Sequence, residues 1–220
     1  MKYKLLLIGI LFGPVIYIGA CNRKKKPDPG QFKFPLKLSA FHLFKGEMPA
    51  LIPAPGVDLL ELSATLFTDY AEKQRLIKMP AKTKMRITSD GLPVFPEGTL
   101  LAKTFYYSKD KQQSGAGKQI LETRILLLKD GQWNAGTYQW NKTQTEAIYT
   151  AESVTVPVIS KMKDGSIRKI AYHIPSKQEC FSCHQSANEL VPIGPKAMNL
   201  NRTVYRNGES INQLTSLQQK

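Results

Sequence analysis

The chain has 220 residues, 42% hydrophobic and 22% charged, a composition that excludes wholesale disorder and suits one good-sized domain or two small ones. With 31 Lys and Arg against 17 Asp and Glu, its formal charge is +14, which favours polyanions, anionic lipid or an acidic protein without choosing among them. Three cysteines are too few for a disulfide-dense scaffold, so the core comes from apolar burial and each cysteine needs its own explanation.

Met1-Lys2-Tyr3-Lys4 and the apolar run from Leu5 to Ala20 have the form of a signal peptide over residues 1–20, closed by the bacterial lipobox Ile18-Gly19-Ala20-Cys21. The run contains Pro14 and is shorter than the ~20 apolar residues that span a bilayer. Lipidation of Cys21 is therefore expected, and several acyl chains would hold the protein to a membrane in the cell envelope. In a Gram-negative cell, Asn22 after the acylated cysteine suits the periplasmic face of the outer membrane. Residues 21–37 follow as a tether: Asn22 to Gly30 has no apolar residue to bury and carries Pro27 and Pro29, while Arg23 to Lys26 suit anionic headgroups as well as solvent.

Residues 38–174 predict a β-rich module. Ser39 to Phe44 predicts one short helix, capped by Ser39 and ended by Gly46. Strand-like runs rich in β-branched and aromatic residues then span Arg75 to Met79, Lys84 to Thr88, Thr99 to Ser108, Gln119 to Lys129, Gln132 to Trp140, Ser153 to Ser160 and Ser166 to Ile174. Turn formers separate them, and Asp130-Gly131 and Asp164-Gly165 predict tight hairpins. Many short strands at this spacing imply a mainly β fold, an antiparallel β-sandwich or barrel-like module rather than a parallel α/β sheet. The aromatics Phe105, Tyr106, Tyr107, Trp133, Tyr138 and Trp140 offer stacking platforms for a sugar, but their commoner use is in a sheet core.

The chemistry-bearing motif lies in residues 175–220, expected as a short α-helical, cytochrome c-like segment. In Cys180-Phe181-Ser182-Cys183-His184 the two thiols have the spacing that adds to the haem vinyl groups, and His184 is placed as proximal iron ligand. The same C-x-x-C serves zinc or dithiol exchange, but zinc needs a fourth ligand, with only His42 and His173 as further histidines, and a thioredoxin-type site needs an α/β pattern. Export favours haem c, because bacterial haem attachment occurs outside the cytoplasm. Gly194-Pro195 stands where Pro195 could accept the His184 Nδ1 proton and support the ring. Met198 is the nearest sulfur donor for the distal side of the iron, with His173 behind it. No nucleophile elbow, phosphate-cradling glycine loop or His-Glu metalloprotease motif is present, so an electron carrier rather than an enzyme is expected, with no nucleic-acid partner. The rival is a non-redox β-sandwich lipoprotein that binds a ligand or protein, with C-x-x-C-H as a zinc or structural site.

The segments Leu38 to Phe44, Leu66 to Lys73, Phe95 to Thr99, Lys103 to Tyr107, Glu122 to Arg124, Cys180 to His184, and Pro192 to Lys196 with Asn199 to Arg202 resemble a family of bacterial exported diheme c-type cytochromes. The resemblance covers nearly the whole chain after Cys21. It implies a β-rich module followed by haem-binding segments, with Cys180, Cys183 and His184 as the first haem site. Some members are joined to modules similar to quinoprotein sugar dehydrogenases, which implies a redox partner such as a quinoprotein-type dehydrogenase or a second haem-bearing chain. The family pattern reaches a second C-x-x-C-H beyond the equivalent of Asn212 to Leu214, so one haem is expected here, on a shortened or split member.

Overall fold

The computed structural model describes residues 32–64, 67–112 and 117–219. The expected signal peptide, Cys21 and the basic stretch after it lie outside the described residues. Alternating apolar and polar residues produce β1 (Val57–Leu59) and β2 (Glu72–Lys78), then the short pair β3 (Arg86–Ile87) and β4 (Pro93–Val94). The long strands β5 (Leu100–Ser108), β6 (Lys118–Lys129) and β7 (Gln132–Trp140) follow, with β8 (Ala147–Thr150) at the far edge. Six of these form one antiparallel sheet in the order β1-β2-β5-β6-β7-β8. Asp130 (φ 54°) and Gly131 (φ 72°) turn β6 into β7, as the Asp-Gly pair predicts, because this tight hairpin needs left-handed backbone at both residues.

A second hairpin, β9 (Val154–Lys161) with β10 (Ile167–Ile174), precedes α1 (Lys177–His184). The rest alternates short elements: β11 (Gln185–Ser186), β12 (Glu189–Leu190), α2 (Ala197–Leu200), β13 (Thr203–Arg206), β14 (Glu209–Asn212) and α3 (Gln213–Gln219). Among the described residues, no helix is long and apolar enough to cross a membrane.

The mainly β, antiparallel expectation holds, with corrections in detail. The large sheet is open: β1 and β8, three and four residues long, stand at opposite edges and do not pair, so neither a closed barrel nor two matched sheets results. Its faces are covered instead by irregular chain on one side and by the β9–β10 hairpin and C-terminal elements on the other. The C-terminal segment is not simply helical, since two hairpins interrupt three short helices. The helix expected from Ser39 is a single 3₁₀ turn, Leu38–Phe41, and His42 in the left-handed region (φ 51°) ends it before Gly46. Ser39 does not cap it; its hydroxyl donates to Glu146 at 2.6 Å. The expected tether is shorter than residues 21–37, because from Phe32 onward the chain has apolar rings to bury. Phe34 stacks on Tyr149 at 5.7 Å, and Pro35 accepts a hydrogen bond from the Tyr138 hydroxyl at 2.8 Å. Gly136 makes room for this ring, since a Cβ there would stand 3.0 Å from Phe34.

Period-two alternation gives the sheet two faces. Val57, Leu76, Leu100, Ala102, Ile125, Tyr138, Trp140 and Ala147 bury one face against Leu38, Leu43 and Leu51 of the N-terminal chain. Tyr138 and Trp140 thus serve the core rather than a sugar platform. The opposite face carries two separate apolar clusters. At one end Ile77 and Leu101 pack with Met85, Phe95, Leu200 and Leu217, so the C-terminal elements share a core with the sheet. At the other end Phe105, Tyr107 and Leu121 pack under Val158, Tyr172 and Ile174 of the β9–β10 hairpin. A bulge in β6 opposite Phe105 and Tyr106 turns both Leu121 and Glu122 toward this second cluster.

Candidate functional site

Ile174 is buried in the second cluster, and Pro175 and Ser176 follow it directly into α1. The Ser176 side chain accepts from the Glu179 amide at 3.3 Å while the Glu179 carboxylate accepts from the Ser176 amide at 2.8 Å, a complete capping box. Glu179 also pairs with His173 of β10 at 2.9 Å. Hydrogen bonds from the Ser176 backbone, then the His173 and Ser176 side chains, hold the Glu179 carboxyl down to about 2. The start of α1 is tied to the chain after β8 by the Lys177 amide, 2.9 Å from the Ala151 carbonyl.

Residues four apart share a helix face, so Cys180 and His184 point to the same side of α1. Cys180 is half-buried against β7, its sulfur 3.9 Å from the Thr137 hydroxyl, whereas Cys183 is exposed; both are free thiols. Burial raises the Cys180 pKa above the ordinary thiol value, with the Thr137 contact and Arg124 opposing. That is the reverse of the depressed pKa a dithiol-exchange nucleophile needs.

After His184 the β11–β12 hairpin reverses the chain through Ala187 and Asn188, both left-handed (φ 49° and 61°). The reversal returns Val191 to the end of α1. The Val191 amide donates to the His184 carbonyl at 2.7 Å, and the His184 Nδ1 stands 3.1 Å from the Val191 carbonyl. A carbonyl oxygen only accepts, so Nδ1 carries the proton and, in the neutral ring, Nε2 holds the free lone pair. Nε2 has no hydrogen-bond partner among the described residues. Burial lowers the His184 pKa, the Val191 bond opposes this, and the nearby cations Lys103 and Arg124 lower it further. The neutral ring, the form that ligates a metal, is favoured.

The acceptor expected for Nδ1 was Pro195, and here the structure corrects the sequence: the hairpin delivers Val191 to the ring four residues earlier. Pro195 is buried, and Gly194 before it accepts from the Asn199 side chain at 2.9 Å and lies so close to Leu62 that a Cβ would stand 3.0 Å from it. Met198, the distal candidate, is 77% exposed on α2, while Leu200 takes the buried side of that helix. His173 is engaged by Glu179. Cys21 lies outside the described residues. Among the described residues no three His, Cys, Asp or Glu side chains gather as a metal cage. Thioether attachment with one axial imidazole does not need them to, because the sulfurs bond the porphyrin and only the ring meets the iron.

Sequence reading missed the sheet floor beside α1. Register places Arg75, Lys103, Arg124 and Thr137 side by side on β2, β5, β6 and β7, all on the face toward α1. Arg124 is held by Glu122, fully buried, at 2.8 and 2.5 Å, and the Tyr172 hydroxyl donates to the same carboxylate at 2.6 Å. Lys103 and Arg124 both lie over the Phe105 ring, at 4.7 and 4.5 Å. Burial, then Arg75, Arg124 and Lys73, push the Lys103 pKa down to about 8. The available signal was parity: Lys103 and Arg124 occupy inward-facing positions of otherwise apolar strands. No family model, curated protein or solved structure matches the chain.

Proposed function

We propose that this protein is an envelope lipoprotein that carries one covalent haem c and passes single electrons to or from a partner oxidoreductase. Cys180 and Cys183 hold the haem as thioethers and His184 Nε2 serves the iron, which supplies reversible one-electron chemistry when bound. The observation that supports this most is the His184 ring, its Nδ1 committed to Val191 and its Nε2 free, one residue after two free thiols on a capped helix. An outer Nδ1 hydrogen bond fixes the ring and raises its basicity as a ligand. Acyl chains on Cys21 hold the protein to the membrane, at the periplasmic face of the outer membrane in a Gram-negative cell. The strongly basic surface favours an acidic redox partner, for which a quinoprotein-type dehydrogenase or a second haem-bearing chain is suited.

Expression with a haem-maturation system tests the proposal. The mature chain gains the mass of one haem, and Cys180→Ala reduces attachment while His184→Ala changes the spin state. A colourless parent with only polypeptide and lipid mass, or one that binds zinc instead, rejects it. Cys21→Ser abolishes incorporation of labelled palmitate; normal labelling in that variant rejects the anchor.

A further inference from the structure

We propose that Arg75, Lys103 and Arg124 form a carboxylate-binding floor that receives the two propionates of the haem held by α1, making the β module one wall of the haem pocket. The inference rests on the haem reading above and adds the part of the pocket that the C-x-x-C-H motif does not supply.

The row begins at Thr137, beneath the Cys180 sulfur at 3.9 Å, and runs outward through Arg124 and Lys103 to Arg75 at one residue per strand. Neighbouring strands lie about 4.8 Å apart, so the three cations are spread over roughly 10 Å of sheet. Apolar clusters bound the row on both sides along the strands, one around Ile77 and Leu101 and the other around Phe105 and Leu121. A cationic floor between apolar walls matches a macrocycle that is apolar except for two carboxylates.

Charge balance argues the same way. Glu122 neutralises Arg124, but neither Arg75 nor Lys103 has an ion-pair partner among the described residues, and both are partly buried. Like charges gathered out of water are unfavourable unless an anion joins them. Beyond Arg75 the floor opens into a cleft of about 250 Å³ lined by Leu60, Glu61, Leu62, Lys73 and Arg202; Glu61 pairs with Arg202 at 3.4 Å, while the Arg202 Nε is buried without a hydrogen-bond partner. Guanidinium groups suit planar carboxylates, and a lysine adds a point charge.

The test uses the haem-loaded protein and resonance Raman spectra of its propionate-bending modes. Lys103→Gln and Arg75→Gln shift those modes while haem mass stays at one per chain; Lys103→Arg restores the parent frequency, and Lys129→Gln, at an exposed turn, changes nothing. Should Lys103→Gln fail to fold, Arg75→Gln carries the comparison. A free acid could use the same cations, so parent and Lys103→Gln holoproteins are titrated with succinate by calorimetry. No binding is expected, because the floor is filled. Propionate modes unmoved in both Gln variants, or succinate binding by the parent holoprotein that Lys103→Gln removes, overturns the floor and leaves haem attachment standing. A parent chain that gains no haem mass overturns the haem reading itself.

Discussion

The Nδ1 of His184 and the carbonyl oxygen of Val191 lie 3.1 Å apart, and the Val191 amide answers with a 2.7 Å bond to the His184 carbonyl. This reciprocal pair joins the last residue of α1 to the chain leaving the β11–β12 hairpin, so the turn between those strands sets the orientation of the ring. Ala187 sits there at φ 49°, where a Cβ crowds the backbone. Ala187→Gly is expected to stabilise the protein by about 1 kcal/mol and raise Tm by about 2–4 °C. Ala187→Pro, whose ring requires a negative φ, lowers Tm and frees the imidazole. A thermal melt in which the Gly variant unfolds below the parent contradicts this account.

Glu122 is an anion set into the cationic floor, fully buried and shared by Arg124 and Tyr172. Glu122→Ala removes it and strands both partners, an expected loss of about 3–5 kcal/mol in denaturant unfolding. Tyr172→Phe leaves the ion pair intact and costs about 1–3 kcal/mol. Equal losses for the two variants would show that the ion pair adds nothing beyond the hydroxyl bond.

Glu179 predicts an acid limit for α1. Its carboxyl is held at about 2 in the folded protein, by the Ser176 backbone and then by His173 and Ser176 side chains, against an ordinary 4.5. A depressed carboxyl pKa contributes stability that is complete above the unfolded value and disappears as pH falls toward the folded one. Fraying of α1 is therefore expected between about pH 4.5 and 2, and Glu179→Gln removes that step. Amide exchange at Cys180 to His184, followed across this range, checks it; identical profiles for parent and variant would refute the assignment.

Met198, 77% exposed, is expected to leave the spectrum of the haem-loaded protein unchanged when replaced by Ala. The ferrous parent should then bind carbon monoxide readily, since no strong distal donor opposes it. A parent that refuses carbon monoxide while Met198→Ala accepts it would restore the methionine as a ligand.

Local chemistry alone determined much of this protein. The runs read as strands at Thr99 to Ser108, Gln119 to Lys129 and Gln132 to Trp140 fall within a residue of β5, β6 and β7, because alternation and an Asp-Gly turn are properties of neighbouring residues. The C-x-x-C-H motif was legible for the same reason: all of its groups lie within one helical turn and a half. Strand β8 went unread because its four residues carry too little pattern, and only pairing with β7 defines them. What tertiary structure decided is which distant groups meet. Val191 rather than Pro195 reaches the His184 ring because a hairpin, not sequence distance, sets that contact. Arg75, Lys103, Arg124 and Thr137 become neighbours through strand register, a collective property of the sheet, since a slip of one residue would turn each side chain to the other face.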